Sequence, residues 1–95
     1  MYTLSAKLKF FIPHAVSLKD KRAVSRSLLD KTQHRYNAAV AEVDTMDICQ
    51  TLTIGIAVVS SDIGHARQSL SQIIRFMEAH AEAELIETFF QDERI

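Results

Sequence analysis

The chain has 95 residues, of which 47% are hydrophobic and 24% charged, and its formal net charge is −1. This length fits one small domain with one compact core, and the near-zero charge argues against a protein that coats nucleic acid generically. No stretch approaches the roughly 20 apolar residues of a membrane span, and the opening MYTLSAKLKFF lacks the apolar run of a signal peptide. We therefore expect a cytoplasmic protein that does not associate with a membrane.

The charges are divided along the chain. Residues 1–36 contain eight Lys and Arg side chains against two Asp, whereas residues 37–95 contain ten acidic side chains against three Arg. This asymmetry indicates either a partner-binding face or mutual neutralisation, within one domain or across a dimer. The single Cys49 excludes an intramolecular disulfide and a CxxC motif, so we interpret it as a small hydrophobic residue.

The first third of the chain predicts a strand followed by a helix. Apolar residues alternate with mostly polar ones from Tyr2 to Ile12, a period of two that is typical of a strand with one buried face, and Pro13 ends it. Ser17 followed by Asp20 resembles a capping box, which predicts a helix from Leu18 to about residue 34. The core face of this helix would contain Leu18, Val24, Leu28, Leu29 and Thr32.

The remaining chain predicts two strands, a second helix and a last strand. NAAVAEVD (37–44) and TLTIGIAVVS (51–60) are strand segments joined by the hairpin connection TMDICQ, and the last strand is ELIETFF (84–90). Between them, apolar residues spaced by three and four predict a helix within residues 60–84. The order βαββαβ predicts an α+β, ferredoxin-like sandwich, with a four-stranded antiparallel sheet of order 4-1-3-2 and two helices on one face. Residues 1–95 would form this single domain.

The segment SLKDKR (17–22) places three cations in the first turn of a helix, where the helix dipole favours anions. In the predicted fold, the second strand ends beside this turn. A helical wheel places Lys21 on the core side, and if Ala38 and Val40 point inward, the alternation of the strand places Glu42 on the inner face too; the opposite register would place it outside. We therefore predict a structural cluster in which Lys21 forms an ion pair with Glu42, with Asp44 close by.

The remaining cations have two interpretations. Lys19, Arg22 and Arg26 could bind a phosphate or RNA beside the helix N-terminus, or they could pair with carboxylates of this chain. On the open face of the sheet, Lys7 and Lys9 could contact phosphates. Only one aromatic side chain of the central strands, Phe11, points to that face, so base stacking is not expected there. Packing against another subunit is the alternative for this face.

Four sequence segments together resemble the YlxP-like family. They are SLKDKR after the first strand, VAEVD at the end of the second, IGIAVVSSD leading into the second helix, and the final AELIE. The resemblance covers essentially the whole chain. It implies a bacterial domain of unknown function with the ferredoxin-like fold. Members of the family are often encoded near genes for translation initiation and ribosome maturation, which implies a role around RNA or the ribosome.

No pattern in the sequence predicts catalysis. Acylphosphatases have the same topology, but the segment PHAVS after the first strand lacks the arginine of their phosphate loop, and the only asparagine is Asn37. The four histidines lack metal-ligand spacing, and there is no glycine-rich phosphate loop or nucleophile elbow. We predict a noncatalytic binding module without a cofactor or metal. RNA or a ribosomal particle is the first choice of partner, and a protein partner or homodimerisation is the second.

Overall fold

A computed structural model describes residues 1–95. Two helices and four strands follow one another in the predicted order, and the sheet has the order β2-β3-β1-β4 with all neighbours antiparallel. Both helices pack on the same face of the sheet, α1 over β2 and β3, and α2 over β1 and β3. This is the predicted ferredoxin-like sandwich. The elements are β1 (Tyr2–Phe11), α1 (Leu18–Arg35), β2 (Ala39–Glu42), β3 (Thr51–Ser60), α2 (Ile63–His80) and β4 (Glu84–Arg94).

The core lies between the two central strands and the helices. The alternate apolar residues of β1 and β3 are almost completely buried, among them Leu8, Phe10, Leu52 and Ile54, because successive side chains of a strand point to opposite faces. Helix α2 contributes Ala66, Leu70, Ile73 and Met77, which recur every three to four residues. Burial of each large apolar side chain contributes roughly 1.5–3 kcal/mol to the stability of the fold.

The core face of α1 is more polar than the sequence predicts. Its buried residues are Lys21, Ser25, Leu28 and Thr32, whereas Leu18, Val24 and Leu29 are only half-buried. The Thr32 hydroxyl is satisfied locally, since it donates to the Leu28 carbonyl at 2.8 Å. Helix α1 therefore packs through a narrow inner stripe that includes a buried cation.

Two strand boundaries differ from the prediction. Strand β2 is shorter than residues 37–44 and contains only Ala39–Glu42, because its neighbour β3 pairs with it over these four residues. Strand β4 is longer than residues 84–90 and continues to Arg94. Its polar end is held by backbone hydrogen bonds, since Ile95 and Met1 each donate to the carbonyl of the other at 2.8 Å.

Candidate functional site

The first turn of α1 begins at a side-chain cap. Ser17 has an extended backbone, and its Oγ accepts a hydrogen bond from the Asp20 backbone N–H at 3.2 Å. The carboxylate of Asp20 in turn accepts from the Val16 N–H at 3.0 Å. These bonds satisfy N–H groups at a helix start, where no partner exists within the helix. Asp20 therefore contributes to the cap, and it forms no ion pair with the cations beside it.

Lys21 is buried under this turn and is only 1% exposed. Its Nζ donates to three backbone carbonyls: Thr45 at 2.6 Å and Met46 at 3.0 Å in the β2–β3 connection, and Thr51, the first residue of β3, at 3.3 Å. An ammonium group has three N–H donors and no acceptor, so these three bonds use its full capacity. The cation thus links the helix start to the connection between the two strands.

Glu42 supplies the compensating charge, as the sequence predicts. Its Oε2 lies 3.0 Å from the Lys21 Nζ, and the side chain of Glu42 is 14% exposed. The Oε2 atom has no hydrogen-bond partner of suitable geometry, and the ammonium already donates to three carbonyls. The contact between the two groups is therefore an electrostatic attraction at close range, and Ser25 makes only a long hydrogen bond of 3.5 Å to the other carboxylate oxygen.

Asp44 does not belong to this cluster, and the prediction that placed it there is wrong. Its backbone has φ 62°, a left-handed conformation that Asp tolerates better than most residues. This turn directs the Asp44 carboxylate to the open face of the sheet, where it binds Lys7 at 2.7 Å. The strand pattern cannot reveal this reversal because the regular alternation ends at Glu42.

Lys19, Arg22 and Arg26 lie on the outer face of α1, and we call them the outer cation row. All three are exposed, and none forms an ion pair within 4.0 Å. Lys19 and Arg26 are seven positions apart, which corresponds to about 10 Å along the helix axis. The structure thus separates the cations of SLKDKR into Lys21, which is neutralised inside the protein, and cations that face solvent.

The open face of the sheet has less free charge than the sequence suggests. Lys7 binds Asp44, and Lys9 lies 4.0 Å from Glu87 of β4. This face also includes an aromatic residue that the sequence analysis missed. Phe89 lies opposite Lys7 in the β1–β4 pairing and is 50% exposed, with the Lys7 Nζ 5.8 Å from its ring centroid. Phe89 lies on the edge strand rather than on the two central strands, where base-stacking aromatics are expected.

No group of three or more His, Cys, Asp or Glu side chains is arranged to hold a metal ion. Two of the histidines are engaged within α-helical turns: Nδ1 of His34 lies 2.8 Å from the Asp30 carbonyl, and Nδ1 of His80 lies 2.8 Å from the Phe76 carbonyl. Neither helix is long and apolar enough to cross a membrane. The most distinctive chemistry in the molecule is therefore the buried Lys21 and the outer cation row above it.

Comparison with known proteins identifies both a family and a fold. Residues 3–89 match the family model described as "Protein of unknown function (DUF503)". The chain is 33% identical over 79 residues to the uncharacterized protein YlxP of Bacillus subtilis (strain 168), covering 83% of this chain and 86% of that protein. Among solved structures, a de novo designed protein with a ferredoxin fold matches with a TM-score of 0.57 and 17% identity, covering 100% of this chain and 88% of the other. The last similarity concerns the fold alone.

Proposed function

Since this chain belongs to the DUF503 family of proteins of unknown function, its role has to be argued from its own residues, and we propose that it is a noncatalytic, cytoplasmic RNA-binding domain that acts on RNA or a ribosomal particle. Binding would use the outer cation row and would need no cofactor. The second candidate is a module for protein interaction or homodimerisation without nucleic-acid binding. The two candidates differ in the charges that they require.

The observation that supports RNA binding is the unpaired state of the outer cation row. Four salt bridges exist in the molecule, and none includes Lys19, Arg22 or Arg26. Exposed cations that lack internal partners are available to phosphate oxygens, and release of counterions from the nucleic acid then favours binding. Arg side chains also match the geometry of phosphate with two parallel N–H donors.

The distribution of charge favours one orientation on a polyanion. Helix α1 covers the side of the sheet that contains β2 and β3, whereas β4 forms the opposite edge. Strand β4 contains four acidic residues, Glu84, Glu87, Asp92 and Glu93. A polyanion would therefore be attracted to α1 and repelled from the β4 edge, which fixes which side of the domain faces the RNA.

The size of the electrostatic contribution follows from the number of cations. If the three members of the outer cation row each contact one phosphate, affinity should fall about 20- to 40-fold between about 50 mM and about 200 mM salt. A protein interaction that depends on the apolar surface of the sheet would change little over this range.

The test is sedimentation of tagged protein in lysate through sucrose gradients at low and high salt, together with direct titration of purified ribosomal RNA. A triple variant, Lys19→Glu, Arg22→Glu and Arg26→Glu, removes the outer cation row. A matched control, Arg67→Glu, Arg75→Glu and Arg94→Glu, makes the same change in net charge away from the outer face of α1.

Cosedimentation that is lost at high salt and in the first variant, but retained in the control, is the expected result. Equal losses in both variants would mean that only net charge matters, and the proposed surface would be wrong. If the wild-type protein stays at the top of the gradient at low salt and does not bind the purified RNA, the RNA-binding proposal fails.

A further inference from the structure

One side of β4 has no backbone partner. Met1 and Ile95 exchange two hydrogen bonds and so form a hydrogen-bonded pair of the antiparallel ladder. Such pairs recur at every second residue, and their N–H and C=O groups point to the neighbouring strand. The β4 residues that point to β1 in this way are Glu93, Gln91, Phe89 and Glu87. The groups of the intervening residues, Thr88, Phe90, Asp92 and Arg94, point away from the sheet. The register shift near Lys9 ends this regular stretch. Residues 87–94 thus present an open, regular ladder.

This edge lacks several of the features that protect most edge strands, although it contains the charged residues Glu87, Asp92, Glu93 and Arg94 toward its two ends. Natural edges are usually short or contain Lys, Pro or a strong bulge in the exposed part. Residues 87–94 contain no Lys, no Pro and no register shift. Two consecutive aromatic residues, Phe89 and Phe90, lie near the middle and are 50% and 67% exposed. Such an edge is suited to pairing with another strand.

An apolar groove lies beside the same edge. It has a volume of about 690 Å³ and lies between α2 and the inner face of β4, with Leu4, Leu70, Ile74 and Phe90 among its lining residues. It exists because α2 packs on β1 and β3 and leaves the inner face of β4 uncovered. The exposed Phe90 forms one wall of this groove without a helix above it.

The charges around the groove complement β4 itself. Arg67 and Arg75 of α2 line it. Arg75 has no acidic partner, and Arg67 lies 3.9 Å from Asp92 with both side chains largely exposed. Strand β4 is acidic, so a second copy would bring carboxylates toward these two arginines. We propose that this protein forms a homodimer in which β4 pairs antiparallel with β4 of a second copy. In this dimer the two Phe90 side chains cover the apolar grooves that lie on either side of the β4–β4 interface.

Charge also selects the register of this pairing. In an antiparallel pair of identical strands, residues directly opposite each other have their side chains on the same face of the sheet. The two-fold axis that relates the strands therefore passes between a residue and its own equivalent in the second copy. If residues 87–94 pair over their whole length, the two-fold axis lies at Phe90 or at Gln91. An axis at Phe90 would place Glu87 of each copy directly opposite Glu93 of the other, so that two pairs of like charges would repel each other. An axis at Gln91 puts no like charges directly opposite and makes the two Phe90 rings diagonal neighbours, about 7–8 Å apart at the backbone.

The first measurement is the oligomeric state of the purified chain without RNA, by analytical ultracentrifugation from about 1 to about 200 µM, a range that detects dimers with dissociation constants down to about 1 µM. The variants are Phe90→Lys, on the edge, and Val59→Lys, which changes a similarly exposed apolar residue (65%) on the open face of β3. Circular dichroism checks that both fold.

A concentration-dependent dimer in the wild type that weakens at least about tenfold in Phe90→Lys, and persists in Val59→Lys, would support the proposal. A wild type that is monomeric throughout would overturn it. A dimer that is lost only in Val59→Lys would place the interface on the open face of the sheet and would also overturn the proposal. None of these outcomes depends on the outer cation row, which lies on α1.

The register has its own test, in a Cys49→Ser background that removes the native thiol. Gln91→Cys would place two thiols opposite each other in a non-hydrogen-bonded pair with Cα atoms about 4.5 Å apart, which permits a disulfide. Glu93→Cys is the matched control, because its equivalent in the second copy would be about 13 Å away along the strand. Oxidation should crosslink the first variant only, and crosslinking of Glu93→Cys alone would refute this register.

Discussion

Replacement of Lys21 by Met tests whether the buried cation stabilises the fold. The side chain is 1% exposed, and its ammonium satisfies three carbonyls as well as the Glu42 charge. Lys21→Met keeps the volume and apolar stem but leaves a carboxylate and three carbonyls without their cation. Loss of one partner of a buried ion pair typically costs about 3–5 kcal/mol. Water can reach the 14% exposed Glu42, so we expect the lower end, about 3 kcal/mol.

This loss is large for a domain of 95 residues, since the whole free energy of unfolding of such a chain is about 5–14 kcal/mol. The melting temperature should fall by about 12–24 °C, because about 1 kcal/mol corresponds to about 4–8 °C at this size. Urea unfolding followed by circular dichroism measures the change. Lys19→Met, at an exposed position of the same helical turn, should stay within about 0.5 kcal/mol of the wild type.

A double-mutant cycle separates the ion pair from the carbonyl bonds. The Glu42→Gln variant alone leaves the Lys21 ammonium with its three carbonyls, so it should cost less than Lys21→Met. In the double variant the neutral amide no longer leaves a buried charge unpaired, so the combined loss should be smaller than the sum of the single losses by about 0.5–3 kcal/mol. A loss below about 1 kcal/mol in Lys21→Met, or strict additivity of the two changes, would refute the structural role of the pair.

Two further outcomes test the turns on either side of this cluster. Asp44→Ala should destabilise the protein by about 1–2 kcal/mol, because alanine is strained at φ 62°. Asp44→Asn should cost less than about 1 kcal/mol, since asparagine tolerates this conformation and only the exposed pair with Lys7 is lost; equal losses in the two variants would contradict the backbone argument. Ser17→Ala removes the N-cap acceptor of α1 and should cost about 0.5–2 kcal/mol. Thermal unfolding measures both effects, and Ser17→Gly, which should restore most of the stability, serves as the control for the cap.

The order and type of the elements could be predicted from the sequence because each has a local periodic signal. The alternation in β1 and β3 and the spacing of three to four in α2 are consequences of backbone geometry that do not depend on the rest of the fold. Once these elements gave a topology, the burial of Lys21 beside Glu42 followed as well. A cation on the inner stripe of a helix requires a partner, and the β2 alternation leaves Glu42 as the carboxylate on the inner face.

The tertiary structure decided the features that depend on where regular pairing begins and ends. Asp44 turns away from Lys21 because the chain adopts a left-handed conformation two residues after β2, and no periodic pattern signals a single reversed residue. Strand β4 extends to Arg94 because all of β1 is available as its partner, although its polar end resembles a tail. The predicted strand order already placed β4 at the edge of the sheet, but the exposure of Phe90 also depends on packing, because α2 covers β1 and β3 and leaves the inner face of β4 open. The sequence by itself therefore determines the elements, the strand order and, once the inner face of β2 is set, the buried ion pair, whereas packing determines which cations and which part of the edge strand remain exposed.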